Sequence, residues 1–183
     1  MSQFYLDFHE GQSPHAPRSP RRKFSRFDQF DQESGFLCKH CKAFVSSSRV
    51  LSGVQNRNHC PYCLHSRHLD LYKAGDRLSA CKSIMKPIGL TTKASKKKYG
   101  ENRGELMLVH MCIECNSFSI NRLAADDDFH AVADLFRCSL RMEDALQQRL
   151  KETGIYIMDA AGISTLQAQL FGSRGGFSDL SIS

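Results

Sequence analysis

Three Cys-x-x-Cys pairs, Cys38/Cys41, Cys60/Cys63 and Cys112/Cys115, constrain this chain more than any other feature. Two thiolates at that spacing sit on one tight turn, whose N–H groups bond the sulfurs. Four such soft ligands close a tetrahedron around Zn²⁺. Eighteen residues separate Cys41 from Cys60, within the spacing of a zinc ribbon. The spacing therefore predicts that Cys38, Cys41, Cys60 and Cys63 hold one ion. A redox Cys-x-x-Cys would need only one pair, and four incidental cysteines would have to fall into two pairs by chance.

The third pair needs partners. Cys81 is the natural third ligand, on a strand upstream of the last knuckle. In Leu106-Met107-Leu108-Val109-His110-Met111-Cys112, positions 106, 108, 110 and 112 share a face if the segment is a strand. His110 then points where Cys112 points, which makes it the first choice for the fourth ligand. The other reading of His110 is a buried ring satisfied by a carbonyl. His68 and His65 are rivals; His59 adjoins a ligand but should face away. The pairs can also exchange between the two sites, and spacing alone does not fix the pairing. Sites closed by four protein ligands leave no position for water or substrate, so both ions are expected to be structural. Such binding supplies about 10–16 kcal/mol in small zinc peptides. A chain without Trp and poor in core residues needs that help.

Charge is unevenly spread along the 183 residues. Residues 1–34 net zero, residues 35–125 net +10 and residues 126–183 net −4, giving +6 overall. Seven of the eight Cys lie in the basic middle part. Coincidence of basic charge and metal-type residues suggests a polyanionic partner, nucleic acid first. No run approaches the roughly 18 apolar residues of a membrane span. Asp7, Glu10 and three prolines in the first 20 residues argue against a secretory leader. Reduced thiols and a cytoplasmic location are the expectation, and metal sites rather than disulfides.

Along the chain, residues 1–34 lack periodicity and read as a disordered arm, basic and Pro-rich, with Arg18, Arg21, Arg22, Lys23 and Arg26 interleaved by Phe24 and Phe27. Short units follow from Phe36. His68 to Tyr72 alternates like a strand, Lys73 to Asp76 reads as a turn, and Ser79 to Leu90 reads as a strand bent at Pro87 and Gly89. Thr91 to Gly104 is a polar insertion. Leu106 to Met111 and Phe118 to Ile120 form a hairpin closed by a metal knuckle. Phe129, Val132, Ala133, Phe136 and Leu140 make one apolar helical stripe. Asp126, Asp127 and Asp128 stand at its start as caps, and the helix is expected from about Asp127 to Glu152, ending before Gly154. Cys138 on it reads as a free buried thiol. A second short helix is expected over Ser164 to Leu170. The chain is thus expected to be α+β: small zinc-ribbon-like β-hairpins over 35–126 with two structural zinc sites, a C-terminal helix over 127–153 packed on them, and a variable extension over 154–183.

The string Arg57-Asn58-His59-Cys60-Pro61-Tyr62-Cys63-Leu64-His65-Ser66-Arg67-His68-Leu69-Asp70 resembles the signature of the bacterial RNHCP domain family. Gly75-Asp76-Arg77, the Cys81…Met85-x-Pro87-Ile88 segment, His110-x-Cys112-x-x-Cys115 and Asn121-Arg122-x-Ala124-x-Asp126-Asp127 resemble the same family. The likeness covers about residues 35–130, and the Thr91–Gly104 insertion is longer and more basic than usual for it. The resemblance implies the domain and its knuckles; it implies no substrate.

Polar residues between the ligands allow an RNA-reading face: Arg57, Asn58 and His59 before one knuckle, Arg122 after another, and Lys93, Lys96, Lys97 and Lys98 beside Tyr99 in the insertion. The structural alternative is that Arg57 and Asn58 bond turn carbonyls, Arg122 pairs with Asp126 or Asp127, and the lysines are a solvated loop. The function expected is zinc-stapled, non-enzymatic recognition of RNA, ribosomal or otherwise structured. A metal-dependent nuclease built around Asn58-His59 is the enzymatic alternative, but the second His on a following helix and the Gly-rich turn are missing; His130 and the Asp cluster replace them poorly. A protein-interaction adaptor using the acidic C-terminal part is the third reading. Neither oligomeric state nor a particular RNA is legible.

Overall fold

The computed structural model describes residues 35–73, 75–93 and 104–171. The N-terminal arm, most of the polar insertion with Lys96, Lys97, Lys98 and Tyr99, and residues 172–183 lie outside the described residues. The fold is α+β, with two small antiparallel sheets, a one-turn helix between them in the chain and further helices after them.

The first sheet is a hairpin of β1 (Gly35–Leu37) and β2 (Phe44–Ser46), with Phe36 opposite Val45. Strands this short have almost no ladder of their own. Their buried side is Val45 with Cys38 and Cys60, and Phe36 and Cys63 pack against it. The one-turn helix α1 (Arg49–Ser52) follows.

The second sheet has the order β3 (Ser66–Arg67), β4 (Ile84–Lys93), β5 (Glu105–Cys112), β6 (Phe118–Arg122), antiparallel throughout. The β4–β5 register runs from Met85 opposite Cys112 to Lys93 opposite Glu105, and slips by one residue between Pro87 and Gly89. Proline has no N–H to give the ladder, so a bulge is the natural place for it. At Gly89 a Cβ would come within 3.0 Å of both Ile157 Cδ1 and Ser139 Cβ, so the missing side chain is what lets these two segments close on the strand. The bend expected at Pro87 and Gly89 is therefore present, but the strand starts at Ile84 and continues through Thr91–Lys93, which composition had assigned to the insertion.

Beyond Arg67 the expected His68–Tyr72 strand is absent. Asp76 takes the N–H groups of Leu71, Tyr72, Lys73 and Leu78 at 2.9–3.1 Å, and Asp70 takes those of Gly75 and Arg77. Carboxylates that satisfy the backbone locally remove its need for a ladder partner.

The expected single helix is two: α2 (Phe129–Ser139) and α3 (Asp144–Glu152). At the break, Arg141 and Met142 donate three residues back, to Cys138 and Ser139 carbonyls, tightening the turn. The apolar stripe runs out after Leu140, and the residues that would extend it, Glu143 and Gln147, are polar. Cys138 is exposed, not buried. After α3, Met158 donates to Leu90 O at 2.8 Å and Thr91 Oγ1 donates to Tyr156 O at 2.6 Å. This stretch runs beside β4 before a 3-10 turn (Ala160–Gly162) and α4 (Ile163–Phe171). Leu64, Leu90, Leu106, Leu108, Val132, Phe136, Met158 and Leu166 form the main core. Among the described residues no helix is long and apolar enough to cross a membrane.

Candidate metal centres

The three Cys-x-x-Cys turns share one backbone design. In each, the residue after the second Cys donates to the carbonyl of the first: Lys42 to Cys38 O, Leu64 to Cys60 O, Asn116 to Cys112 O, at 2.9–3.1 Å. The first Cys in turn donates to the carbonyl two residues past the second: Cys38 to Ala43 O, Cys60 to His65 O, Cys112 to Ser117 O, each at 2.9 Å. Closing so tight a loop forces the residue after the second Cys into the left-handed region, with φ +66° at Lys42, +58° at Leu64 and +56° at Asn116. None of the three is glycine, so each stores backbone strain.

The turns at 38–41 and 60–63 bring four sulfurs together within 4.8 Å. Cys38 Sγ lies 3.6 Å from Cys63 Sγ, and Cys41 Sγ lies 3.6 Å from Cys60 Sγ. A disulfide would need about 2.05 Å. The edge of a tetrahedron with Zn–S bonds of about 2.3 Å is about 3.8 Å, so the donor set fits zinc. The thiols are unequal. The N–H of Ala43 holds Cys41 down to about 7. Burial pushes Cys60 and Cys63 up. A cation supplies the charge that lets such buried thiols ionise, so metal uptake releases protons.

The second cluster is His68, Cys81, Cys112 and Cys115. Cys81 Sγ is 3.6 Å from Cys112 Sγ, and His68 Nδ1 is 3.2 Å from Cys115 Sγ. The Ser117 hydroxyl, 3.3 Å from Cys115 Sγ, helps hold that thiol down to about 6. His68 reaches this cluster through a fourth knuckle that sequence spacing hides. Lys82 donates to His68 O at 3.1 Å, His68 donates to Ser83 O at 2.9 Å, and Lys82 has φ +49°. These are the bonds and the twist of a Cys-x-x-Cys turn, with His68 in the place of the first Cys and Cys81 as the second. Twelve residues stand between them instead of two.

His110, the expected fourth ligand, does not take that place. Its ring is fully buried: Nε2 donates to Leu64 O at 2.7 Å and Nδ1 accepts from Asn121 Nδ2 at 3.0 Å. Burial pushes it down to about 3, consistent with the neutral tautomer these bonds require. Alternation does put Leu106, Leu108, His110 and Cys112 on one buried face, but that face is core at His110 and metal cluster only at Cys112. His65 stays with the first centre, Nδ1 donating to Cys63 O at 2.9 Å.

The residues expected to read RNA are differently placed. Arg57 is buried, with Nη1 at 2.8 and 2.6 Å from the two Asp126 oxygens, Nη2 at 3.0 Å from Asp127 and Nε donating to His59 O. His59 Nε2 sits 2.9 Å from both Asp127 oxygens. Asp127 also accepts the Ala124 N–H at 2.8 Å. Arg57 and His59 therefore tie the second knuckle to the start of α2 and offer nothing to a ligand. Asn58 is half-buried and its carbonyl accepts from Ser66 Oγ. Of the three aspartates expected as caps, only Asp128 caps α2, accepting from Ala131 N at 3.0 Å. Arg122 pairs with Glu105 at 2.5 Å, not with Asp126 or Asp127. Lys93 is exposed at the end of β4.

No curated protein and no solved structure matches the chain. A sequence model of the RNHCP domain matches residues 33–133, more than half of the 183 residues. That span holds both clusters and the Arg57–Asp126–Asp127–His59 tie. The two clusters can hold metal ions, with donors and spacings consistent with zinc, and the chain belongs to the RNHCP domain family.

Proposed function

We propose that this protein is a non-enzymatic RNA-binding module whose basic surface is held in shape by two structural zinc ions. The observation that carries the reading is the coincidence of charge and staples: residues 35–125 net +10, and both four-ligand clusters fall inside that stretch. Four protein donors leave a tetrahedral ion no open position for substrate. The nuclease alternative needs His59 as a free base, and His59 is buried and held by Asp127. Purified protein should retain RNA at low salt, and the affinity should fall log-linearly with salt. Replacing Lys96, Lys97 and Lys98 by Gln should weaken binding and flatten that slope by about 2. Absence of any RNA affinity in zinc-loaded protein at low salt would overturn the reading.

A further inference from the structure

Two histidines beside the first centre have no part in either four-ligand cluster. His40 lies inside the first knuckle and His65 follows the second. Their rings stack with centroids 3.6 Å apart and planes within 3° of parallel. His65 is half-buried and its orientation is fixed by its bond to Cys63 O. His40 is exposed, and among the described residues no other ring covers its outer face.

Cys63, His40 and His65 also bring three ligand atoms within 4.8 Å, which raises the question of a further ion. The stack answers it. An imidazole nitrogen binds a metal along a lone pair in its own ring plane. Stacked rings whose planes lie within 3° of parallel have no common point near the rings, so no ion lies in both planes. The arrangement is a flat platform, not a chelate.

Three exposed lysines stand near the platform. Lys39 and Lys42 flank it in the same knuckle, with Lys42 Nζ folded onto Lys39 O at 2.8 Å, and both are exposed. Lys86 is exposed on β4, and its charge acts on the His65 ring. Among the described residues no carboxylate pairs with any of the three lysines. A flat ring backed by a second ring and ringed by ammonium groups suits an unpaired base with its flanking phosphates.

We infer that the outer face of His40, backed by His65, is a stacking platform for an unpaired base of single-stranded RNA, with Lys39, Lys42 and Lys86 holding the adjacent phosphates. This rests on the RNA-binding reading above and gives it a contact surface among the described residues. Stacking and phosphate contact differ in their response to salt: stacking releases no counterions, whereas each lost phosphate contact lowers the slope.

The test is fluorescence anisotropy of a short, mixed-sequence single-stranded RNA over a salt series, with bound zinc counted for every variant. His40→Ala is expected to weaken binding about fivefold or more, with the salt slope and two zinc ions per chain unchanged. His40→Phe is expected to restore affinity, because any flat ring stacks. Lys42→Gln with Lys86→Gln is expected to flatten the slope by about 1.4. Parental affinity in His40→Ala, or failure of His40→Phe to restore it while zinc is retained, would overturn the platform and leave the RNA reading standing. A third zinc ion lost in His40→Ala would also overturn it, making the ring a ligand. No binding by the unaltered chain would overturn the RNA reading and the platform together.

Discussion

His68 and His110 are both buried imidazoles near the second cluster, and substitution separates their roles. His68→Ala removes one donor of four, so competition with a chromogenic chelator should show one of two zinc ions held much more weakly. His110→Leu should leave both ions in place. It leaves Leu64 O without its ring partner and Asn121 with only its longer bond to Ser66 Oγ, however, and should cost about 1–3 kcal/mol in urea unfolding of the zinc-loaded protein. The convergence of Cys38, Cys41, Cys60 and Cys63 was legible in the sequence because both turns are local words. His110 was misplaced because alternation identifies which residues share a face and says nothing about what covers the face. His68 was recognisable only as a rival, since its turn is closed by Lys82 and Ser83, fourteen and fifteen positions downstream.

Among the elements, α2 is held at its start by charge as well as by its apolar stripe. Arg57 and Asp127 side chains are each 1% exposed. Removing one partner of a buried pair strands the other, so Arg57→Met is expected to destabilise by about 3–5 kcal/mol. Arg57→Met combined with Asp127→Asn should cost less than the sum of the two single changes in a double-mutant cycle. Sequence reading saw an aspartate run before a helix and assigned three caps. Two of those carboxylates serve an arginine 69 and 70 residues away, a pairing that local pattern cannot reveal. The loop after β3 makes a different electrostatic case. The Leu71 N–H, with those of Lys73, Leu78 and Tyr72, holds the Asp76 carboxyl well below the usual range. A depressed carboxylate stabilises the loop at pH above the ordinary value of about 3.9, and that contribution is lost only as pH falls through the lower folded value. A carboxyl ¹³C titration should place the Asp76 midpoint below about 3.9; a midpoint at the ordinary value would contradict the bonding described here.

At the scale of the molecule there are two cores of different kinds. The larger is hydrocarbon, from Leu64 to Leu166. The smaller consists of Cys38, Val45 and Cys60 with Phe36 and Cys63, so three of its five members are candidate ligands of the first centre. Chelation should therefore dismantle the β1–β2 hairpin before the four-stranded sheet. Hydrogen exchange after chelator treatment is expected to show residues 36–45 losing protection while Leu108 and Val109 keep theirs. Equal loss in both regions would mean that the hydrocarbon core also depends on metal. The α+β architecture was readable from Cys-turn hairpins followed by a helical stripe. The division into two helices was missed although the stripe ends at Leu140, because no Gly or Pro marks the tightened turn at Arg141 and Met142.

The hidden knuckle at His68 and Cys81 has a practical consequence. Its anchoring atoms sit at the two ends, so the excursion carried between them can lengthen, shorten or change its chemistry without moving the anchor. Its tip already presents Leu71, Tyr72 and Leu78, all at least half exposed. A foreign peptide spliced between Leu69 and Ala80 should be displayed as a constrained loop on an intact scaffold.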